Sequence, residues 1–374
     1  MNKDKLISIL KNSLAIVVML AMFIIIFYQN RDRDIFKFGR DESSSVITPN
    51  QDGMSGYANA DIKRMWDKVV YMNTTSYNIF NEKAEGDNVD LALSNPGLHI
   101  EDEFAVCYNK DSFEASVFKK ETQHYSVKTS GKIIRAKVNK NGYLFVATEK
   151  EGYNCECMVY NRNGEAIFKW DISKSEFLDG DVNCSNNMIV LSVASAQKDN
   201  LFGEIVLIDI TQAKVIKKDS YDKKVFFSVD FNRNDTFTAL GSHCLTYYNS
   251  DGTKKWNYSF KDKTLINADV SNPDMMVLAF KKVKGGISGD YTDVKIINRL
   301  CGKIAEKNFM GIAEDIAISE SHVALAFGKK IYVCDSKLKE KKAIEYEATV
   351  KKIALFNDNK HVFVIGSSGA KILK

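Results

Sequence analysis

Residues 133–170 read IIRAKVNKNGYLFVATEKEGYNCECMVYNRNGEAIFKW, and they alternate runs that suit a sheet with runs that suit a turn. IIRAKV, YLFVAT and CMVYN are rich in branched and aromatic side chains, which pack well on a pleated surface. NKNG and RNG are rich in Asn and Gly, which tolerate the positive φ of hairpin turns. The stretch predicts an antiparallel meander of about four strands ending near Trp170.

The meander recurs. An apolar residue, a Ser or Asn and a turn former stand in LSNPG from Leu93, VNKNG from Val138, CSNNM from Cys184, FNRND from Phe231, VSNPD from Val270, ISESH from Ile318 and FNDNK from Phe356. The Ser/Asn positions (94, 139, 185, 232, 271, 319 and 357) lie 38 to 48 residues apart. Periods of about 40–50 residues with four strands each mark propeller blades. An all-β fold is expected, a seven-bladed β-propeller over residues 62–374. The last copy supplies KKIALF, HVFVIG and AKILK and then ends, one strand short of a blade. The strand-like segment 66–80 is expected to dock beside these strands and close the ring, which removes exposed sheet edges. If that segment holds two strands, an eighth, partial blade results.

Two copies carry a further signature, VYNRNGEAIFKW to Trp170 and YYNSDGTKKW to Trp256. Both tryptophans are expected to wedge between adjacent blades. These repeat ends resemble quinoprotein-type and WD-like propeller repeats. With the N-terminal apolar run, a Ser-rich tether and the AKVNKNGYLFVATE blade, the chain resembles an uncharacterised family of membrane-anchored bacterial propellers, domain of unknown function 5711. The resemblance spans residues 66–374 and implies a cell-envelope location. It implies no catalytic residues and no quinone site.

From 14 to 28 every residue is apolar or aromatic. That run makes about 22 Å of helix, and residues 6–13 supply the remaining turns of a span, with Lys11 snorkelling. No small-x-small cleavage pattern follows, so an uncleaved transmembrane anchor is expected, with residues 1–38 as tail and anchor. Residues 39–61, rich in Ser, Gly and Asn, read as a flexible linker. Flanking lysines and arginines do not decide orientation. A short leading tail favours an exported propeller, whereas 7 cysteines argue mildly for a reducing compartment.

The search for chemistry is mostly negative. The odd cysteine count rules out complete pairing. Cys107 and Cys334 sit inside strand-like runs as buried thiols, and Cys155 and Cys157 share one strand face. No His pair stands at zinc-hydrolase spacing; His322 and His361, near two turns, are the one pair placed to meet on a rim. No nucleophile elbow, phosphate loop or calcium loop is present. The lysine-rich stretch 337–352 is diluted by Glu340, Glu345 and Glu347, so a nucleic-acid partner is not expected. No catalytic, cofactor or metal residue is assigned. Phe202 and Tyr291, on what read as the two longest loops, are the candidates for partner contact, with Tyr143 and Tyr153 behind them. The function expected is that of a single-pass, extracytoplasmic, non-enzymatic binding or scaffold protein for a protein or envelope polymer. The alternative is a propeller enzyme with a channel-lined site, a quinoprotein-like oxidoreductase or glycan lyase. Inward-facing charged residues from several blades would favour that alternative.

Overall fold

The structure is a computed structural model that describes residues 45–46, 60–197, 200–283 and 290–374. Among them are eight sheets of four antiparallel strands, seven of them built from strands consecutive in the chain. Blades 1 to 7 occupy residues 61–90, 96–128, 133–172, 176–222, 226–259, 264–310 and 315–345. Blade 8 takes its inner strands from 350–373 and its outermost strand from Ser45–Val46.

The strand sequences follow from this stacking. The second strand of a blade is covered by neighbours on both faces and reads as a continuous apolar run, as in Phe237–Gly241 and Val362–Gly366, where every residue is buried. Outermost strands face solvent and alternate, as in Lys254–Ser259. Eight separate apolar cores result, each shared by two adjacent blades. The core between blades 8 and 1 includes Ile62, Tyr71, Phe363 and Ile372, so the ring is closed by packing as well as by strand pairing. Trp170 packs against the core between blades 3 and 4, and Trp256 against that between blades 5 and 6. Trp256 also donates Nε1–H to the Arg299 carbonyl of blade 6 at 2.8 Å, so both tryptophans are inter-blade wedges.

Two expectations are corrected. The ring has eight complete blades, not seven. Segment 66–80 does not supply the strand missing from the last blade: it lies inside blade 1, which is whole and meets blade 8 by packing through Val69 and Tyr71. The closing strand is Ser45–Val46, inside the stretch read as linker, paired antiparallel with Lys371 and Ile372. The miscount began at two turns. The hairpins at 66–67 and 102–103 need only two residues, and Trp66 and Asp102 supply the positive φ, at 54° and 58°, with no Ser/Asn motif. LSNPG at Leu93 is instead the link between blades 1 and 2.

The six other turns are as the sequence implies, and in blade 3 the asparagine has a mechanical role. In blade 3, Asn139 Oδ1 accepts from the amides of Asn141 and Tyr143 at 2.9 and 3.0 Å. Its Nδ2 donates to the Asn183 carbonyl of blade 4 at 2.7 Å, so one side chain shapes its own turn and ties it to the next. Cys107, Cys155, Cys157, Cys244 and Cys334 are buried free thiols. No helix occurs among the described residues, so none there is long and apolar enough to cross a membrane. The anchor expected over 14–28 lies outside the described residues.

Candidate functional site

The innermost strands approach the turn face with a polar residue at every second position. Blade 3 presents Arg135, Lys137 and Asn139; blade 4, Asp179, Asp181 and Asn183; blade 5, Ser228, Asp230 and Asn232; blade 6, Asn267, Asp269 and Ser271. A strand alternates its side chains, so these residues share one face, and that face meets the ring axis. The axis holds a cavity of about 440 Å³ to which all eight blades contribute. It opens at the turn face into a basin of about 680 Å³, shared through Arg64, Ile100, Glu101, Phe231, Asn232 and Ser271.

Most of the charged groups on this wall hold one blade to the next. The amide of Val229 donates to Asp179 Oδ2 at 2.9 Å, that of Phe231 to Asp181 Oδ2 at 2.8 Å, and that of Ile353 to Asp315 Oδ2 at 2.8 Å. The Ile318 amide meets Asp269 Oδ2 at 3.3 Å, and in the same register the Val138 amide meets His99 Nδ1 at 3.3 Å. Each is a side chain of one blade accepting from the backbone of the following one. Lys137 spans further: its Nζ lies 2.7 Å from Asp179 Oδ2, 2.7 Å from Asp230 Oδ1 and 2.9 Å from the Val229 carbonyl. Arg135 Nε adds an ion pair to Asp179 Oδ1 at 3.2 Å. At the seam of the ring, Lys352 of blade 8 pairs with Asp61 of blade 1 at 2.7 Å.

The electrostatics divide into two zones. Around Lys137, opposite charges overcome burial. Burial alone would lower the lysine, but Asp179, Asp230 and Asp181 hold it above its ordinary value. Burial alone would raise Asp230, yet Lys137 keeps it below the usual carboxylate range. His99 is driven well below its ordinary value by burial and then by Lys137 and Lys63, so it is neutral and free to accept. Away from the lysine, burial wins. Asp181 is raised well above its ordinary value by burial and by Asp230, against Lys137. Burial raises Asp269, carries Asp315 up to about 6, and carries Glu101 up to about 7 against the pull of Arg233.

A family model described as a family of unknown function, DUF5711, matches residues 41–374. The chain belongs to that family. No curated protein matches its sequence. Among solved structures, the C-terminal WD40 domain of Sif2 is similar at a TM-score of 0.60 and 12% identity, covering 84% of this chain and 95% of that one. BamB from Moraxella catarrhalis is similar at 0.53 and 10% identity, covering 88% and 99%. At such identities the likeness is one of fold. The DUF5711 match begins at residue 41 and so takes in the strand Ser45–Val46 that completes blade 8.

Within this DUF5711 propeller the residues expected to act are dispersed. Phe202 and Tyr291 are half-buried and lie in strands, not at loop tips, because the second and third strands of blades 4 and 6 run longer than read. They sit in different blades and neither lines the channel. His322 and His361 do not come together: His322 Nδ1 meets Ser321 Oγ at 2.8 Å, and His361 pairs with Asp358. Among the described residues no group of three or more His, Cys, Asp or Glu is arranged to hold a metal. Cys155 and Cys157 do share a face, with Sγ atoms 4.0 Å apart, but inside the core between blades 3 and 4. The channel wall itself was missed, although RAKVN, DGDVN, SVDFN and NADVS already place polar residues at alternate positions of inward strands.

Proposed function

We propose that the protein is a membrane-anchored, extracytoplasmic propeller that recognises a ligand at its turn face without transforming it. The apolar run 14–28 supports the anchor. One observation carries the recognition role: Asp179, Asp181, Asp269 and Asp315 are committed to amides of the neighbouring blades, which makes the wall rigid and pre-organised. A photo-crosslinking residue at Arg233, on the basin rim, tests it in intact cells. A discrete adduct is expected; a profile with none would defeat the proposal. Protease accessibility of the propeller in intact cells against lysed cells fixes its side of the membrane.

One observation favours the enzyme reading. Charged side chains from several blades do face the channel, and Glu101, with a carboxyl near 7, is suited to passing a proton at neutral pH. Under that reading Glu101→Gln abolishes turnover of a bound ligand while leaving its affinity intact. Under the recognition reading the wild type leaves the bound ligand unaltered, as mass spectrometry of recovered ligand would show.

A further inference from the structure

We infer that the basin at the channel mouth binds a neutral oligosaccharide, with the Trp66 indole as its stacking platform. This deepens the recognition role proposed above and rests on it. The first observation is a backbone angle. Trp66 sits in the tight turn between the first two strands of blade 1 at a φ of 54°. Such angles suit Gly, Asn and Asp and strain a bulky residue. The other first hairpins of blades meet the same demand with Asp102, Asn186, Asp235 and Asn359, and the turns between third and fourth strands meet it with Ala84, Lys120, Ala213, Cys301 and Leu338, none of them aromatic. Blade 1 instead holds an indole there and leaves it 55% exposed, so burial does not offset the strain.

The second observation is how firmly that turn is held. Asn357 of blade 8 donates Nδ2–H to the Trp66 carbonyl at 2.8 Å, and Arg64 donates Nη1–H to Asn357 Oδ1 at 2.5 Å. The turn that carries the indole is therefore fixed before any ligand arrives, which lowers the entropy lost on binding.

The third observation is the charge around it. The same basin carries Arg233 paired with Asp102 at 3.3 Å and Arg299 paired with Asp274 at 2.9 Å. These planar groups satisfy each other's charge and keep further N–H and oxygen edges for hydroxyls. With charges so matched, the basin offers no one-signed field to a polyanion or polycation. Its volume of about 680 Å³ falls in the roughly 300–1,000 Å³ range of small-ligand sites. An exposed aromatic face among matched polar forks suits a pyranose, which has an apolar C–H face and a rim of neutral hydroxyls.

The test uses the full-length protein in detergent micelles, titrated with chitooligosaccharides and cellooligosaccharides while tryptophan fluorescence and melting temperature are followed. At least one series should shift the indole emission, with an affinity insensitive to salt. Trp66→Gly should abolish the emission change and weaken binding at least about tenfold, or 1.4 kcal/mol. Its melting temperature should equal or exceed the wild type's, because glycine adopts positive φ freely. Trp256→Phe should bind normally. A Trp66→Gly variant that melts lower yet still binds would overturn the assignment, as would binding that salt abolishes. If neither series binds while the Arg233 photo-crosslinker captures a protein, the saccharide assignment fails and the recognition role stands. If neither series binds and no adduct forms, both fail.

Discussion

Lys137 puts one ammonium between carboxylates of two other blades, and its side chain is only 5% exposed. Removing it leaves Asp179, 2% exposed, without its strongest partner. Lys137→Met should therefore destabilise by about 1–3 kcal/mol, the usual cost of leaving a buried polar group short of a partner, because the Val229 amide and Arg135 still meet Asp179. Denaturant unfolding checks the value. Acid should recover part of the loss, since protonating the stranded carboxylates removes their charge. Asp315 gives the opposite case. Its folded pKa of about 6 lies above that of an unfolded aspartate, near 3.9. The folded state then binds the proton more tightly, so the penalty is absent below about pH 4, grows between about 4 and 6, and is complete above that. Asp315→Asn keeps an oxygen for the Ile353 amide and removes the charge. It should match the wild type near pH 4 and exceed it by about 1–2 kcal/mol at pH 8, after discounting for solvent reaching the channel. Melting curves across pH that run parallel for the two proteins would refute this.

At the scale of the strand, packing between blades depends on a few close approaches. Gly180, on the inner strand of blade 4, lies where an added Cβ would stand 2.5 Å from the Phe145 ring of blade 3 and 2.9 Å from Leu191. Phe145 is fully buried and has little room to retreat. Gly180→Ala should cost about 1–3 kcal/mol by overpacking. A melting comparison tests the variant. The same scale explains what the sequence disclosed. Longer turns gather amides on a short polar side chain, Asn139 in blade 3, Asn183 in blade 4, Asn272 in blade 6, Ser319 in blade 7 and Asp358 in blade 8, so they leave a motif that is legible. The two-residue turns at Trp66 and Asp102 ask only for a positive φ, which leaves no motif, and two blades were misread because of them. The channel wall was legible in the alternation of inward strands. Its inter-blade hydrogen bonds were not, because they join residues about 40–50 positions apart whose register only the closed ring sets.

For the whole ring, the weakest joint is the one made by its two ends. Blades 1 to 7 are each continuous hairpin meanders, whereas the last sheet borrows Ser45–Val46 from the other end of the chain. That strand pairs only two residues, Ser45 with Ile372 and Val46 with Lys371. So short a pairing adds little energy, but it covers the edge of the strand Gly369–Leu373, which would otherwise be a template for aggregation. The core between blades 8 and 1 is built from Ile62, Tyr71, Phe363 and Ile372 and does not need it. Closure by the strand should therefore govern solubility and the rate of opening more than the existence of the fold. A disulfide across the joint separates these effects. Val46→Cys/Lys371→Cys puts cysteines at positions that are register partners across the sheet edge, and the ion pair lost at Lys371, to the exposed Glu347, is worth little. Oxidation should raise stability by about 2–4 kcal/mol, with the reduced form close to wild type. The bond encloses nearly the whole chain, so its gain should appear in global unfolding and in slower aggregation on heating, not in one blade. Failure of the pair to oxidise, with other cysteines replaced, would mean that residues 45–46 do not complete blade 8 and that the ring is held by packing alone.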